Sequence, residues 1–140
     1  LHLLSAAALP WSDRMMILVC YDGSADAQAA IDQAGLLMAG SDATVLMIWE
    51  TVLETMTRHG SLGMGFGMIG PYGDDGSSDA AIKRGAVDTA AEGARRAVAA
   101  GLVAQPRIVN RDDEIAAVIL AEAADVDADV IVLGTRGLGG

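Results

Sequence analysis

The chain alternates short runs that are apolar at every position with longer stretches in which apolar residues recur every three or four. Residues 16–21 form the first continuous run, built on Ile17, Leu18, Val19 and Cys20. A strand covered on both faces reads this way, as a parallel sheet requires. Asp22-Gly23-Ser24 breaks the run, and Ser24 is suited to cap a helix extending to about Ala39. In that helix Ala27, Ala30, Ile31, Ala34, Leu37 and Met38 share a face, and Gly40 follows as a stop signal. Residues 44–49 predict a second apolar strand. Residues 79–100 predict a helix with Ile82, Ala86, Ala90, Ala94, Ala97 and Val98 on one face. Its other face carries Arg84 with Asp88 and Glu92 with Arg96 at i,i+4 spacing. A short third strand near 107–109 comes next, then a helix over 113–124 with Ile115, Val118 and Ile119 inward, then a fourth strand at 130–133. Strands alternating with helices through short connections imply right-handed crossovers. The predicted class is α/β, an open, doubly wound, Rossmann-like parallel sheet.

One connection breaks the pattern. Residues 51–78 hold seven glycines and three methionines in 28 positions, with no steady period. Inside it, Gly65-Phe66-Gly67-Met68-Ile69-Gly70 matches the dinucleotide pattern G-x-G-x-x-G letter by letter. That fingerprint needs a strand directly before it and a helix opening on it. Here the preceding strand ends some fifteen residues earlier and Pro71 follows, so the match is rejected. A flap beside a ligand crevice or an oligomer contact is expected instead, with residues 62–76 following an irregular path.

Composition narrows the function classes. The 140 residues suit one domain, and a net charge of −10 with a pI near 4.3 argues against a nucleic-acid groove or an anionic membrane surface. A soluble cytoplasmic protein is expected. Cys20 has no second cysteine to pair with, and His2 and His59 stand far apart, so zinc-ligand spacing is absent. Residues 1–15 read as a tail, a start-site artefact or a vector remnant, with Met15 or Met16 as the natural start and 16–140 as the domain. The first residue is Leu1 and the last glycine cluster stops at Gly140, so a fragment at both ends is expected.

Candidate chemistry gathers at the ends of the strands. In an open parallel sheet ligands bind at the carboxyl edge, where the chain leaves the central strands in opposite directions. Strand one ends at Asp22 and strand four at Gly134, which makes them expected neighbours. Asp22 offers a carboxylate to a ribose or purine, Ile48 an apolar floor, and Gly134, Gly137, Gly139 and Gly140 a backbone nest for phosphate. No Walker A lysine is present, so amides would hold the phosphate, with Arg136 as the nearby cation. Each residue also has a plainer reading. Asp22 can be a turn or cap residue, Ile48 core, and Arg136 the partner of a surface carboxylate.

The segments ILVCYDGS, VLMIWE and ADVIVLGTRGLGG, in that order and spacing, resemble the universal stress protein family over residues 16–140. The resemblance implies strand order 3-2-1-4-5, with the fifth strand absent from this chain, and pairing into homodimers. The family divides into ATP-binding and non-binding members. Binders carry a glycine, two residues, a glycine, nine residues, then a glycine with serine or threonine. Gly134 and Gly137 match the first two, and the last pair would fall at positions 147 and 148. By this resemblance Cys20 lends backbone beside the nucleoside and Asp22 contacts it, while Ile48 lies against adenine. Gly134, Thr135, Arg136, Gly137, Leu138, Gly139 and Gly140 form the ribose-phosphate loop. Met47 stands where many relatives carry histidine. The implied function is an ATP-binding regulator of the stress response, with Mg or Mn as the ion accompanying the phosphates where one is used. The alternatives are a non-nucleotide dimerisation module and a slow ATPase. Without a fifth strand, strand four is left as an apolar edge, and self-association is expected.

Overall fold

The computed structural model describes residues 15–58 and 77–135; residues 1–14, 59–76 and 136–140 lie outside it. Strand β1 (Met16–Cys20) leads into helix α1 (Ala25–Leu37), and β2 (Asp42–Trp49) into α2 (Val52–Arg58). Helix α3 (Ser77–Ala99), strand β3 (Val103–Asn110), helix α4 (Ile115–Asp125) and strand β4 (Val130–Val132) follow. The described strands form one parallel sheet in the order β3-β2-β1-β4. This is the α/β arrangement that the alternation of patterns predicts.

Burial of β1 on both faces fixes the layers. Ile17 and Val19, with Tyr21 beyond them, pack with Ala43 and Val45 against Ile31 and Ala34 of α1 and Ala94 and Ala97 of α3. Leu18 and Cys20 pack with Leu46 on the opposite face against Ile119 of α4. Ile17, Leu18 and Val19 have no exposed surface, and each such burial is worth about 1.5–3 kcal/mol. Small residues let α3 lie close to the sheet. A Cβ at Gly93 would sit 2.6 Å from Cδ2 of Tyr21 and 2.8 Å from Cγ1 of Val45, so the tyrosine ring rests on bare helix backbone. Gly40 has φ +85° and its N–H donates to the Gly101 carbonyl at 2.8 Å, closing α1 where the stop signal was expected.

The structure corrects several boundaries. Strand β3 has eight residues, paired from Val103 with Asp42 to Asn110 with Trp49, where only a short strand was expected. It lies at the edge of the described sheet, so Gln105 and Arg107 remain exposed and mask the apolar signal. Pro106 is tolerated in the strand because an edge does not use every N–H in the ladder. Arg107 pairs with the buried Glu122 of α4 and lies 3.4 Å from Asp125, which ties this edge to the layer beneath.

Helix α2 occupies part of the 51–78 connection, where the sequence pattern predicted no regular element. A reciprocal cap starts it: the Glu54 N–H donates to Thr51 Oγ1 at 3.1 Å and the Thr51 N–H to Glu54 Oε2 at 2.9 Å. The expected irregular path of 62–76, Gly65 to Gly70 included, falls outside the described residues. Leu37 and Val98, expected inward, are exposed. Arg96 was expected to pair with Glu92 but crosses to Asp32 of α1, with Nη2–Oδ2 at 2.9 Å and Nε–Oδ1 at 3.1 Å. That guanidinium holds the Asp32 carboxyl below its usual range. Among the described residues no helix is long and apolar enough to cross a membrane.

Two glycines of α3 should respond oppositely to the same substitution. Gly93→Ala overpacks the Tyr21 ring and should cost about 1–3 kcal/mol of unfolding free energy. At Gly85 an added Cβ meets nothing within 4 Å, and Gly85→Ala should stabilise by about 0.5–1 kcal/mol. Urea denaturation of both variants checks the pair. Equal effects would mean that the close contact beneath Gly93 does not exist.

Candidate functional site

Strands β1 and β4 are direct neighbours, with Ile17, Leu18 and Val19 opposite Val130, Ile131 and Val132. Continuing that register sets Asp22 level with Thr135, so the two chain exits meet at the carboxyl edge. From there β1 leads into α1 on one face, whereas β4 is entered from α4 on the other. The chain therefore changes sides between these strands, which is the switch-point geometry at which open parallel sheets bind ligands.

The turn after β1 is held by its own side chains. Asp22 Oδ1 accepts from the Ser24 N–H at 2.9 Å, and Ser24 Oγ accepts from the Ala27 N–H at 3.1 Å as the cap of α1. Gly23 adopts φ +84°, a backbone state that glycine enters without strain. Asp22 thus fills the turn role, with one oxygen committed and the residue half-buried.

Gly134 is a point of close approach. A Cβ there would lie 2.9 Å from the Ala27 nitrogen and 2.9 Å from the Asp26 carbonyl carbon. The exit of β4 therefore passes directly over the first turn of α1. Thr135 Oγ1 lies 3.4 Å from Asp26 Oδ2. Arg136, Gly137, Leu138, Gly139 and Gly140 are outside the described residues.

Ile48 is half-buried at the rim of the cluster formed by Leu18, Cys20, Leu46 and Ile119. Cys20 is buried in the same cluster, and burial pushes its thiol up to about 12. Its side chain is enclosed in that cluster and offers a ligand no surface. An apolar groove of about 350 Å³ lies between α1 and β4. It touches Asp26, Gly134 and Thr135 at one end and runs to Leu37 and Met38. That puts it on the sheet face opposite Cys20 and Ile48.

Two features of this edge escaped the sequence reading. The Tyr21 hydroxyl donates to Glu92 Oε1 at 2.9 Å, a contact across 71 residues. Burial and this carboxylate raise the Tyr21 phenol above its usual range. The sequence signal was an inward glycine, Gly93, beside a polar helix residue. At the end of β3, the Arg111 N–H donates to the Trp49 carbonyl at 2.7 Å. Its guanidinium donates to the Asp113 carbonyl at 3.0 Å and lies 3.6 Å from Glu114. Among the described residues no group of three or more His, Cys, Asp or Glu is placed to hold a metal ion.

Fold and edge together define an open α/β sheet with its chain exits converging at a switch point. The chain belongs to the universal stress protein family, whose model matches residues 14–140. Among solved structures, one similar chain is a protein of this family from Burkholderia pseudomallei. It is 22% identical with a TM-score of 0.67, the match covering 89% of this chain and 84% of that one. A universal stress protein from Archaeoglobus fulgidus is 20% identical with a TM-score of 0.57, covering 85% and 73%. A universal stress protein in complex with cAMP is 26% identical with a TM-score of 0.51, covering 90% and 80%. No curated protein sequence matches the chain significantly.

The state of Cys20 has a direct readout. Only the thiolate attacks, so the native protein should resist iodoacetamide at pH 8 and label fully in denaturant. Rapid labelling of the folded chain would contradict the packing of Cys20 beneath α4.

Proposed function

We propose that the chain is an adenine-nucleotide-binding member of the family, taking ATP at the carboxyl edge of β1 and β4. The observation that carries this reading is the parallel pairing of β1 with β4, which brings the chain exits that hold Asp22 and Gly134 to one edge of the sheet at the switch point. The similar chain solved with cAMP adds support for an adenine ligand. Asp22 supplies a carboxylate to the nucleoside, its second oxygen lying outside the Ser24 bond. Ile48 supplies an apolar surface for adenine, and Cys20 contributes backbone. The run from Gly134 through Thr135, Arg136, Gly137, Leu138 and Gly139 to Gly140 supplies amides for the ribose and phosphates. Magnesium or manganese would enter with the phosphates. In this reading the protein works as a cytoplasmic homodimer that responds to nucleotide occupancy.

The nucleoside half is supported by a half-buried carboxylate just past the end of β1 and an aliphatic residue near the end of β2, at the same edge of the sheet. One observation favours the second reading, a non-nucleotide interaction module. Asp22 and Gly134 each have a complete local reason for their identity, the Ser24 turn and the close pass over α1.

Calorimetric titration with ATP separates the two. The protein should bind, and Asp22→Asn, which keeps an acceptor for the Ser24 N–H, should weaken binding about ten- to a hundredfold. That is the loss expected for one hydrogen bond to a charged group, about 1.5–3 kcal/mol. Absence of binding, or binding unchanged in Asp22→Asn, makes the interaction module the better reading.

A further inference from the structure

We infer that Glu92, acting through Tyr21, is a positioning residue for the Asp22 turn, so that helix α3 tunes ligand binding at an edge it does not line. The inference about affinity rests on the nucleotide reading above. Tyr21 lies just past β1, and its N–H still donates to the Leu46 carbonyl at 2.8 Å. Its ring is 1% exposed and lies against Gly93, while its hydroxyl reaches Glu92 at 2.9 Å. The residue on the other side of Asp22 meets the same stretch of α3: a Cβ on Gly23 would lie 3.7 Å from Cγ2 of Thr89. One helical turn, Thr89 to Gly93, therefore abuts both neighbours of Asp22. The Asp22 carboxylate turns away to the Ser24 N–H.

Packing alone fixes less than this. A phenylalanine ring would fill the slot equally well, but it could slide along the bare backbone at Gly93. A phenol bonded to a carboxylate has one preferred distance and direction, and such charge-assisted bonds are stronger than neutral ones. The Tyr21–Glu92 bond therefore sets the height of residue 21 along α3, and with it the start of the turn. Gln28 braces the turn from α1, its Nε2 lying 3.4 Å from the Gly23 carbonyl. Asp32 and Arg96 form an ion pair between α1 and α3, and the Tyr21 hydroxyl, which also meets the Gln28 side chain, donates to Glu92.

The test compares Tyr21→Phe and Glu92→Gln with the unaltered chain by amide hydrogen exchange and by ATP titration. Tyr21→Phe should speed exchange at Ser24 about three- to tenfold, the size expected for one lost hydrogen bond, with Ile31 inside α1 unchanged. The dissociation constant for ATP should rise by a similar factor. Glu92→Gln retains an oxygen acceptor and should keep both properties closer to those of the unaltered chain than Tyr21→Phe does. In an Asp22→Asn background, Tyr21→Phe should weaken ATP binding less than it does alone, because the two residues act through one turn. A uniform rise in exchange across α1 with unchanged ATP affinity would make Tyr21 a packing residue only and overturn the inference. If the unaltered chain binds no ATP yet Ser24 responds selectively, the positioning role stands and the nucleotide reading falls. If ATP binds while Ser24 and affinity ignore both substitutions, the nucleotide reading stands and the positioning role falls.

Discussion

The two-sided burial of β1 is the constraint on which the rest of the structure depends. With Ile17, Leu18 and Val19 wholly covered, helices must lie on both faces of the sheet, and β1 takes partners on both edges. The chain can meet that demand only by winding to one side through β2 and β3 and returning on the other through α4 and β4. The reversal next to β1 is where the exits of β1 and β4 converge. The candidate site is thus a by-product of the core, since the strand that anchors the fold leads directly into Asp22.

That economy gives both candidate residues a structural duty. Asp22 closes the turn that starts α1, and Gly134 allows β4 to leave over the first turn of the same helix. Asp22 is held by its bond to the Ser24 N–H and Gly134 by its close packing on α1, so both are in place independently of any ligand. Helix α3 enters the same arrangement from behind. Its glycine admits the Tyr21 ring and its carboxylate holds the hydroxyl, so the end of β1 is pinned by contacts distant in the chain.

How far the sequence could be read follows the same physics. β1, β2, α1 and α4 were legible because each turns a continuous or helical apolar face to the core. β3 was under-read because an edge strand keeps one side polar, and Gln105, Pro106 and Arg107 hide its length. Helix α2 is announced by a cap, Thr51 with Glu54, and by no periodicity. The convergence of the β1 and β4 exits at a switch point was foreseeable from topology. The turn role of Asp22 was legible as well, whereas the close pass at Gly134 was not, because it depends on how closely β4 approaches α1. The Tyr21–Glu92 contact was invisible for a related reason: i,i+4 spacing pointed Glu92 at Arg96, and only the packed helices show Asp32 taking that arginine.

The most direct test of the account is an amide NMR titration of the isotopically labelled chain with ATP. The account predicts shift changes concentrated at residues 20–24, 48–50 and 134–135, with the buried middle of β1 and the outer face of α4 silent. Changes confined to the apolar groove between α1 and β4, around Ala30, Leu37 and Met38, or spread evenly along the chain, would contradict it.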